Sequence, residues 1–237
     1  MKYLVVGGTS GIGLAATRRL VAAGHEGIVW SRRSEPDSIP EPERQHIEYR
    51  RVDVTSDLPD DLEAPSNLDG LLYAPGSISL APFRGLKLSV FEDDYNVNVL
   101  GAVRVLQKVL PALVADEGAS VVLMGSVAAS TGMSFHASIA AAKSAVTGLA
   151  RSLAAELAAK NVRVNVVSPS LTDTPLASRL LDNDRKRASS AERHPLKRVG
   201  TPEDQAAAIT FLLSPETSWI TGQVLGVDGG LSSLSGM

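Results

Sequence analysis

The chain has 237 residues, 44% of them hydrophobic and 21% charged, with a formal net charge of −3. That size and balance suit a soluble globular protein with a sizeable core, and the mild acidity excludes the basic field that nucleic acid or an anionic membrane surface would require. Cysteine is absent, which rules out disulfides, thiolate catalysis and cysteine-ligated zinc.

In chain order, apolar runs alternate with helix-periodic segments, the pattern of a parallel sheet with crossover helices. The opening MKYLVVGGTS lacks the features of a signal peptide, and no run reaches the roughly 20 apolar residues of a membrane span. A cytoplasmic location is therefore expected. KYLVVG (2–7) reads as a buried strand and GLAATRRLVAAG (13–24) as a helix closed by a C-terminal glycine. GIVWS (27–31) is a second strand, and HIEYRRVDV (46–54) contains a third. Prolines at 36, 40 and 42 allow the stretch between those two only a loop or one short turn.

LDGLLYA (68–74) and ASVVLMGS (119–126) supply the fourth and fifth strands, with a long helix over about 92–115 between them. An alanine-rich helix follows over about 138–160. The remainder reads as a strand, NVRVNVVSP (161–169), a helix, PEDQAAAITFLLS (202–214), and a last strand, GQVLGVDGG (222–230). No repeat or linker divides the chain. The expected fold is a single α/β domain over 1–237, a Rossmann-type doubly wound parallel sheet in three α/β/α layers.

VVGGTSGIG places Gly7, Gly11 and Gly13 between the first strand and its helix. Glycines there permit a tight turn and close backbone approach, and the helix start offers free N–H groups and partial positive charge to a pyrophosphate. The spacing is G-x-x-x-G-x-G rather than G-x-G-x-x-G. A structural turn is the plain alternative, but the strand before and the helix after favour a dinucleotide. Thr9, Ser10 and Ile12 complete that turn. The second strand ends in Ser31, Arg32 and Arg33, with no acid among them. An acid at this position binds the ribose 2′-hydroxyl of NAD, whereas an arginine accommodates the 2′-phosphate of NADP. NADP(H) is thus favoured over NAD(H), the alternative being two solvated surface arginines.

Taken together, these segments resemble the short-chain dehydrogenase/reductase family over nearly the whole chain, and more closely its ketoreductase branch. VDVT holds Asp53, followed by Val54, where the family has an aspartate beside the adenine. YAPG supplies Ala74, Pro75 and Gly76 in place of the family's N-N-A-G, and YNVNVLGAV supplies Asn98. VVLMGSVAAS ends the fifth strand at Ser126, like the catalytic serine. VSPSLTDTP resembles the segment that meets the nicotinamide amide, through Pro169, Ser170, Thr172 and Thr174. The resemblance implies a Y-x-x-x-K active site. Here the lysine is Lys143, and the tyrosine position is Ile139.

Residues four apart share a helix face, so the family's tyrosine and lysine point together at the nicotinamide, and the ammonium lowers the phenol's pKa. Isoleucine has no proton to give. His136, seven residues before Lys143, has a suitable ordinary pKa for a general acid, or it simply caps or precedes the helix. Tyr73 is a remoter candidate and reads better as core. Ser126 can also polarise a carbonyl and leave proton delivery to water. Two functions follow: an NADP(H)-dependent oxidoreductase of carbonyl or alcohol substrates with atypical proton transfer, or a non-catalytic NADP(H)-binding sensor or partner subunit.

The resemblance implies that substrate identity rests on a lid at about 176–198, where Leu176, Leu180 and Leu181 stand beside Arg179, Arg185, Lys186 and Arg187. Those bases either receive an anionic small molecule or solvate the lid. His25, His46 and His194 show no metal-ligand spacing, so no metal site is expected. Neither nucleic acid nor membrane is an expected partner. The family resemblance implies a homodimer or homotetramer built through the long helices.

Overall fold

In the computed structural model, residues 1–33, 39, 41–116 and 118–234 are described. Seven strands form one sheet: β1 Lys2–Val6, β2 Glu26–Ser31, β3 Ile47–Arg51, β4 Gly70–Tyr73, β5 Ala119–Met124, β6 Val162–Pro169 and β7 Val224–Val227. All pair in parallel, in the order β3-β2-β1-β4-β5-β6-β7. The order reverses between β1 and β4, and in such sheets the crevice outside the strands' carboxyl ends takes the ligand.

Side chains alternate across each strand, and here both faces are covered. Leu4, Val6 and Leu71 pack with Val105 and Val109 of α4 (Gly101–Leu113) and with Ala142, Val146 and Ala150 of α5 (Ala137–Leu157). Tyr3, Val5 and Leu72 pack with Ala16 and Leu20 of α1 (Gly11–Ala22) and with Ile209 and Leu212 of α7 (Pro202–Leu213). Burial on two sides explains why the strands read as unbroken apolar runs. Gly24, at φ 80°, ends the first crossover, as its place after the helical run predicts. Thr201 and Asp204 form a capping box at the start of α7.

The expected strands are trimmed at their ends, one short turn stands where a loop or a turn is expected, and one helix corrects the sequence reading. The stretch before β3 holds one helical turn, α2 Glu41–Arg44; the loop expected at 34–38 and 40 lies outside the described residues. The single helix expected over 92–115 is instead α3 Leu88–Tyr95, a π-turn Asn96–Leu100, and then α4. Asn98 causes part of this break, because its Nδ2 donates to the Asp94 carbonyl at 2.7 Å and competes with the regular ladder. The lid is itself helical, with a 3₁₀ segment Pro175–Leu180 and α6 Asp184–Glu192. Asn183 caps α6 by accepting from the Lys186 N–H at 2.9 Å. Among the described residues, no helix is long and apolar enough to cross a membrane.

Candidate active site

Two adjoining hollows open at the carboxyl ends of the strands. The first, of about 200 Å³, is lined by Gly7, Ser10, Gly11, Ile12 and Gly13, by Ser31, Arg32 and Arg33, and by Val54, Ala74, Pro75 and Gly76. Gly7 and Gly11 have φ of 78° and 52°, conformations open to glycine. A Cβ on Gly13 would collide with the Gly7 carbonyl oxygen, so the helix starts hard against the strand end. Ser10, the N-cap, makes no side-chain bond to its helix, which leaves first-turn N–H groups for a ligand. These observations fit a dinucleotide: the glycines clear room for phosphate, and the N–H groups and guanidiniums supply donors and positive charge.

Two of the residues expected at the cofactor, Thr9 and Asp53, do not line this hollow. Ser31 is buried, and its Oγ lies 2.8 Å from Thr9 Oγ1 while accepting from the Arg33 N–H at 3.2 Å. Thr9 thus braces the turn from behind rather than lining the hollow. Asp53 is exposed and outside the wall formed by its neighbours Val52 and Val54. Hydrogen bonds from the Thr55 hydroxyl and N–H hold its carboxyl below the usual range.

The second hollow, about 790 Å³, gathers Ser126, Ile139 and Lys143 at one end, with His136 in its wall. Ser126 follows β5 in extended conformation, and its Oγ accepts from the Ala128 N–H at 3.2 Å. Its hydroxyl hydrogen is therefore free to donate. Lys143 is buried, and its Nζ donates to the Met124 carbonyl at 2.7 Å. Burial pulls this ammonium down to about 8, opposed by the attraction of Asp94. Ile139 is 5% exposed and presents only hydrocarbon to the hollow. His136 sits just before α5 at φ −104° and ψ 12°, so it precedes the helix rather than riding on it. Phe135, at φ 70°, turns the chain there. The His136 Nδ1 bonds the Ser134 carbonyl at 2.7 Å; a carbonyl only accepts, so Nε2 is the free atom. Tyr73 is core: its hydroxyl donates to the Val97 carbonyl at 2.6 Å, and burial pushes its pKa up.

Asp94 is a buried carboxylate that the sequence reading missed. Its Oδ1 accepts from Ser77 at 2.5 Å and Ser79 at 2.9 Å, and its Oδ2 accepts from Ser138 at 2.6 Å. Asn98 joins this group by donating to Ser77 Oγ at 2.9 Å. Asn98 Oδ1 is buried and has no hydrogen-bond partner. A Cβ built on Gly76 would lie 3.3 Å from that oxygen and 3.5 Å from Lys143 Nζ, so the space over Gly76 is bordered by an unsatisfied acceptor and by the lysine. The one sequence signal for Asp94 was its four-residue spacing to Asn98. The partner serines are scattered between 77 and 138 and come together only in the fold.

Pro169, Ser170, Thr172 and Thr174 line the larger hollow, and Thr174 borders both. Thr172 is turned inward, donating to the Ser170 carbonyl at 3.0 Å. His194, expected only to be no metal ligand, is buried between the Ser170 hydroxyl (2.8 Å from Nε2) and the Ser190 carbonyl (2.8 Å from Nδ1), tying this loop to the lid. Among the described residues, no group of three metal-ligating side chains occurs.

Comparison with known proteins agrees with this geometry. The family described as enoyl-(acyl carrier protein) reductase matches residues 6–232. The 3-oxoacyl-[acyl-carrier-protein] reductase MabA of Mycobacterium tuberculosis is 36% identical over 229 residues, covering 96% of this chain and 91% of its own. A solved structure titled as a short chain dehydrogenase/reductase family protein superposes with TM-score 0.87 at 31% identity, over 99% of this chain and 98% of that one. ElxO with NADP bound gives TM-score 0.89 at 25% identity, over 98% and 99% of the two chains.

Proposed function

The chain belongs to the short-chain dehydrogenase/reductase family, and from that premise we propose that it is an NADP(H)-dependent carbonyl reductase in which Lys143 delivers the proton that a tyrosine would otherwise supply. The observation that carries the reading is the buried ammonium of Lys143, brought down to about 8, in the same wall as Ser126 and an aliphatic residue 139.

The nucleotide would be held by the glycine turn, with Arg32 and Arg33 meeting the 2′-phosphate. When bound, its nicotinamide supplies or accepts the hydride. The rest is done by the chain. Ser126 keeps its hydroxyl hydrogen for the substrate oxygen, because its lone pair already serves the Ala128 N–H. Fixed donors aimed at a developing oxyanion are among the larger contributions to catalysis. Lys143 commits one hydrogen to the Met124 carbonyl and has two left for the hollow. An acid whose pKa lies near the working pH is well matched to proton transfer. Asn98 Oδ1, facing the space beside Nζ, can hold a water that relays the proton. Ile139 keeps the surrounding wall dry, which favours a short transfer path.

A pH profile distinguishes the donors. Reduction of a generic ketone with NADPH should hold steady at neutral pH and fall above about pH 8, as the ammonium is lost. Lys143→Met should lower the rate by about 10²–10⁴. If His136→Asn removes the rate and Lys143→Met does not, His136 is the acid. If a broad ketone panel oxidises no NADPH that the protein binds, the non-catalytic reading replaces this one.

A further inference from the structure

The lid helix α6 presents a face of unusual composition to the larger hollow. Arg185, Ser189 and Arg193 recur at four-residue spacing, hence along one stripe, and all three line the hollow, as does Arg179 from the preceding 3₁₀ segment. The lid's other bases are neutralised by acids: Arg187 makes a two-pronged contact with Asp173 at 2.6 and 3.3 Å, and Lys186 reaches Asp182 at 2.7 Å. The stripe is treated differently. Arg179 and Arg185 have no acidic partner among the described residues, and Arg193 meets only the Ser190 hydroxyl, at 3.4 Å.

No aspartate or glutamate among the described residues lines this hollow, although the chain carries 26 acids against 23 lysines and arginines. Lys186 also lines the hollow but is paired with Asp182, so the charge left for a ligand is that of the exposed Arg179, Arg185 and Arg193. The lining also carries apolar side chains, Ile78 and Leu80, which are 38% and 37% exposed, and Leu176, 54% exposed. The lining thus joins a hydroxyl, an ammonium, hydrocarbon, and lid guanidiniums without acidic partners among the described residues.

We infer that the substrate is a small oxo acid: a carbonyl compound whose apolar body lies along Ile78, Leu80 and Leu176 and whose far carboxylate is bound by Arg185 and Arg193. This rests on the carbonyl-reductase reading and adds the substrate class to it. Guanidinium is suited to the role, because its planar fork pairs with both oxygens of a carboxylate.

The test compares a homologous series of straight-chain keto acids with their methyl esters, using NADPH as reductant. At the best chain length the acid should exceed the ester in kcat/KM by about ten- to a hundredfold, the range for a hydrogen-bonded charge. That ratio should fall towards one in the double variant Arg185→Gln, Arg193→Gln, and should persist in Arg187→Gln, whose side chain is engaged with Asp173. Calorimetry with a non-reducible fatty carboxylate and its ester gives the same comparison without turnover and also serves if a variant is slow.

Equal efficiency of acids and esters in the parent protein overturns the inference while leaving the reductase reading intact; no turnover of either class, with no preference for the carboxylate in calorimetry, removes both. A double variant that loses NADPH affinity but keeps its preference for acids would assign the stripe to the cofactor's phosphates and overturn the inference. Preference for a phosphopantetheine thioester over every free acid, abolished in the double variant, would assign the stripe to a carrier-borne phosphate and overturn it likewise.

Discussion

The nucleotide end of the cleft and its substrate end are built by different means. At the nucleotide end the features that matter are backbone ones: Gly7 and Gly11 at positive φ, Gly13 with no room for a Cβ, and a helix start whose N–H groups are left open. At the substrate end they are side chains: Ser126, Ile139, Lys143 and the guanidiniums of the lid. At the first end the glycines admit almost no substitution. The second can exchange one group for another and change its chemistry without disturbing the sheet.

Gly13→Ala would break this contrast most severely. Its Cβ collides with the Gly7 carbonyl oxygen, so α1 must move away from β1. Overpacking of this kind costs about 1–3 kcal/mol. Displacement of the phosphate-facing N–H groups should weaken NADPH binding by roughly a hundredfold, read by titration of NADPH fluorescence alongside the melting temperature. Unchanged affinity would place the phosphates elsewhere.

Ile139→Tyr tests the substrate end in the opposite direction, by adding a group. Residue 139 lines the hollow one helical turn from Lys143, so a phenol there faces open space. The expected result is a rise in ketone reduction of about a hundredfold, the low end of what a positioned acid contributes, with little change in stability. No gain would mean that Lys143 already delivers the proton as well as a phenol at 139 would, or that a step other than proton transfer limits the rate.

A milder change sharpens the comparison at the nucleotide end. Arg32 and Arg33 line the smaller hollow beside Ser31 and are exposed, so each contributes modestly. Replacing both with serine should raise the KM for NADPH by about tenfold relative to that for NADH, since only the former presents a 2′-phosphate. An unchanged ratio would make them surface arginines with no role in cofactor choice.

The same contrast governs how much was legible in the sequence. Strands buried on both faces announce themselves as apolar runs, and the glycine turn is local, so β1, α1 and their junction could be read directly. The π-turn could not, because it arises when the Asn98 side chain takes the Asp94 carbonyl, a competition that periodicity does not register. The α6 helix was missed because its very polar sequence has no apolar stripe; it is held by the Asn183 cap and faces a hollow. Asp53 is expected beside the adenine from its motif, and Thr55 engages one of its two carboxylate oxygens. Asp94 and His194 are the deeper omissions, since each is meaningful only through partners far away in sequence.

Asp94 yields the smallest and most discriminating effect. Asp94→Asn preserves shape but exchanges one acceptor oxygen for an NH₂ group, so at least one of Ser77, Ser79 and Ser138 must turn its hydroxyl round to accept. The expected loss of stability is about 1–3 kcal/mol, read by denaturant unfolding. Its effect on Lys143 is separable from that loss. The carboxylate attracts the ammonium and holds its pKa up against burial, so removing the charge makes the lysine easier to deprotonate. The fall in reduction above about pH 8 should then begin at lower pH, whatever the variant's absolute rate. Were His136 the acid, it would donate from the loop before α5, outside the group of serines that Asp94 organises, and the profile would stay where it was. The position of one limb of a pH curve thus decides whether the substrate end works through its buried lysine.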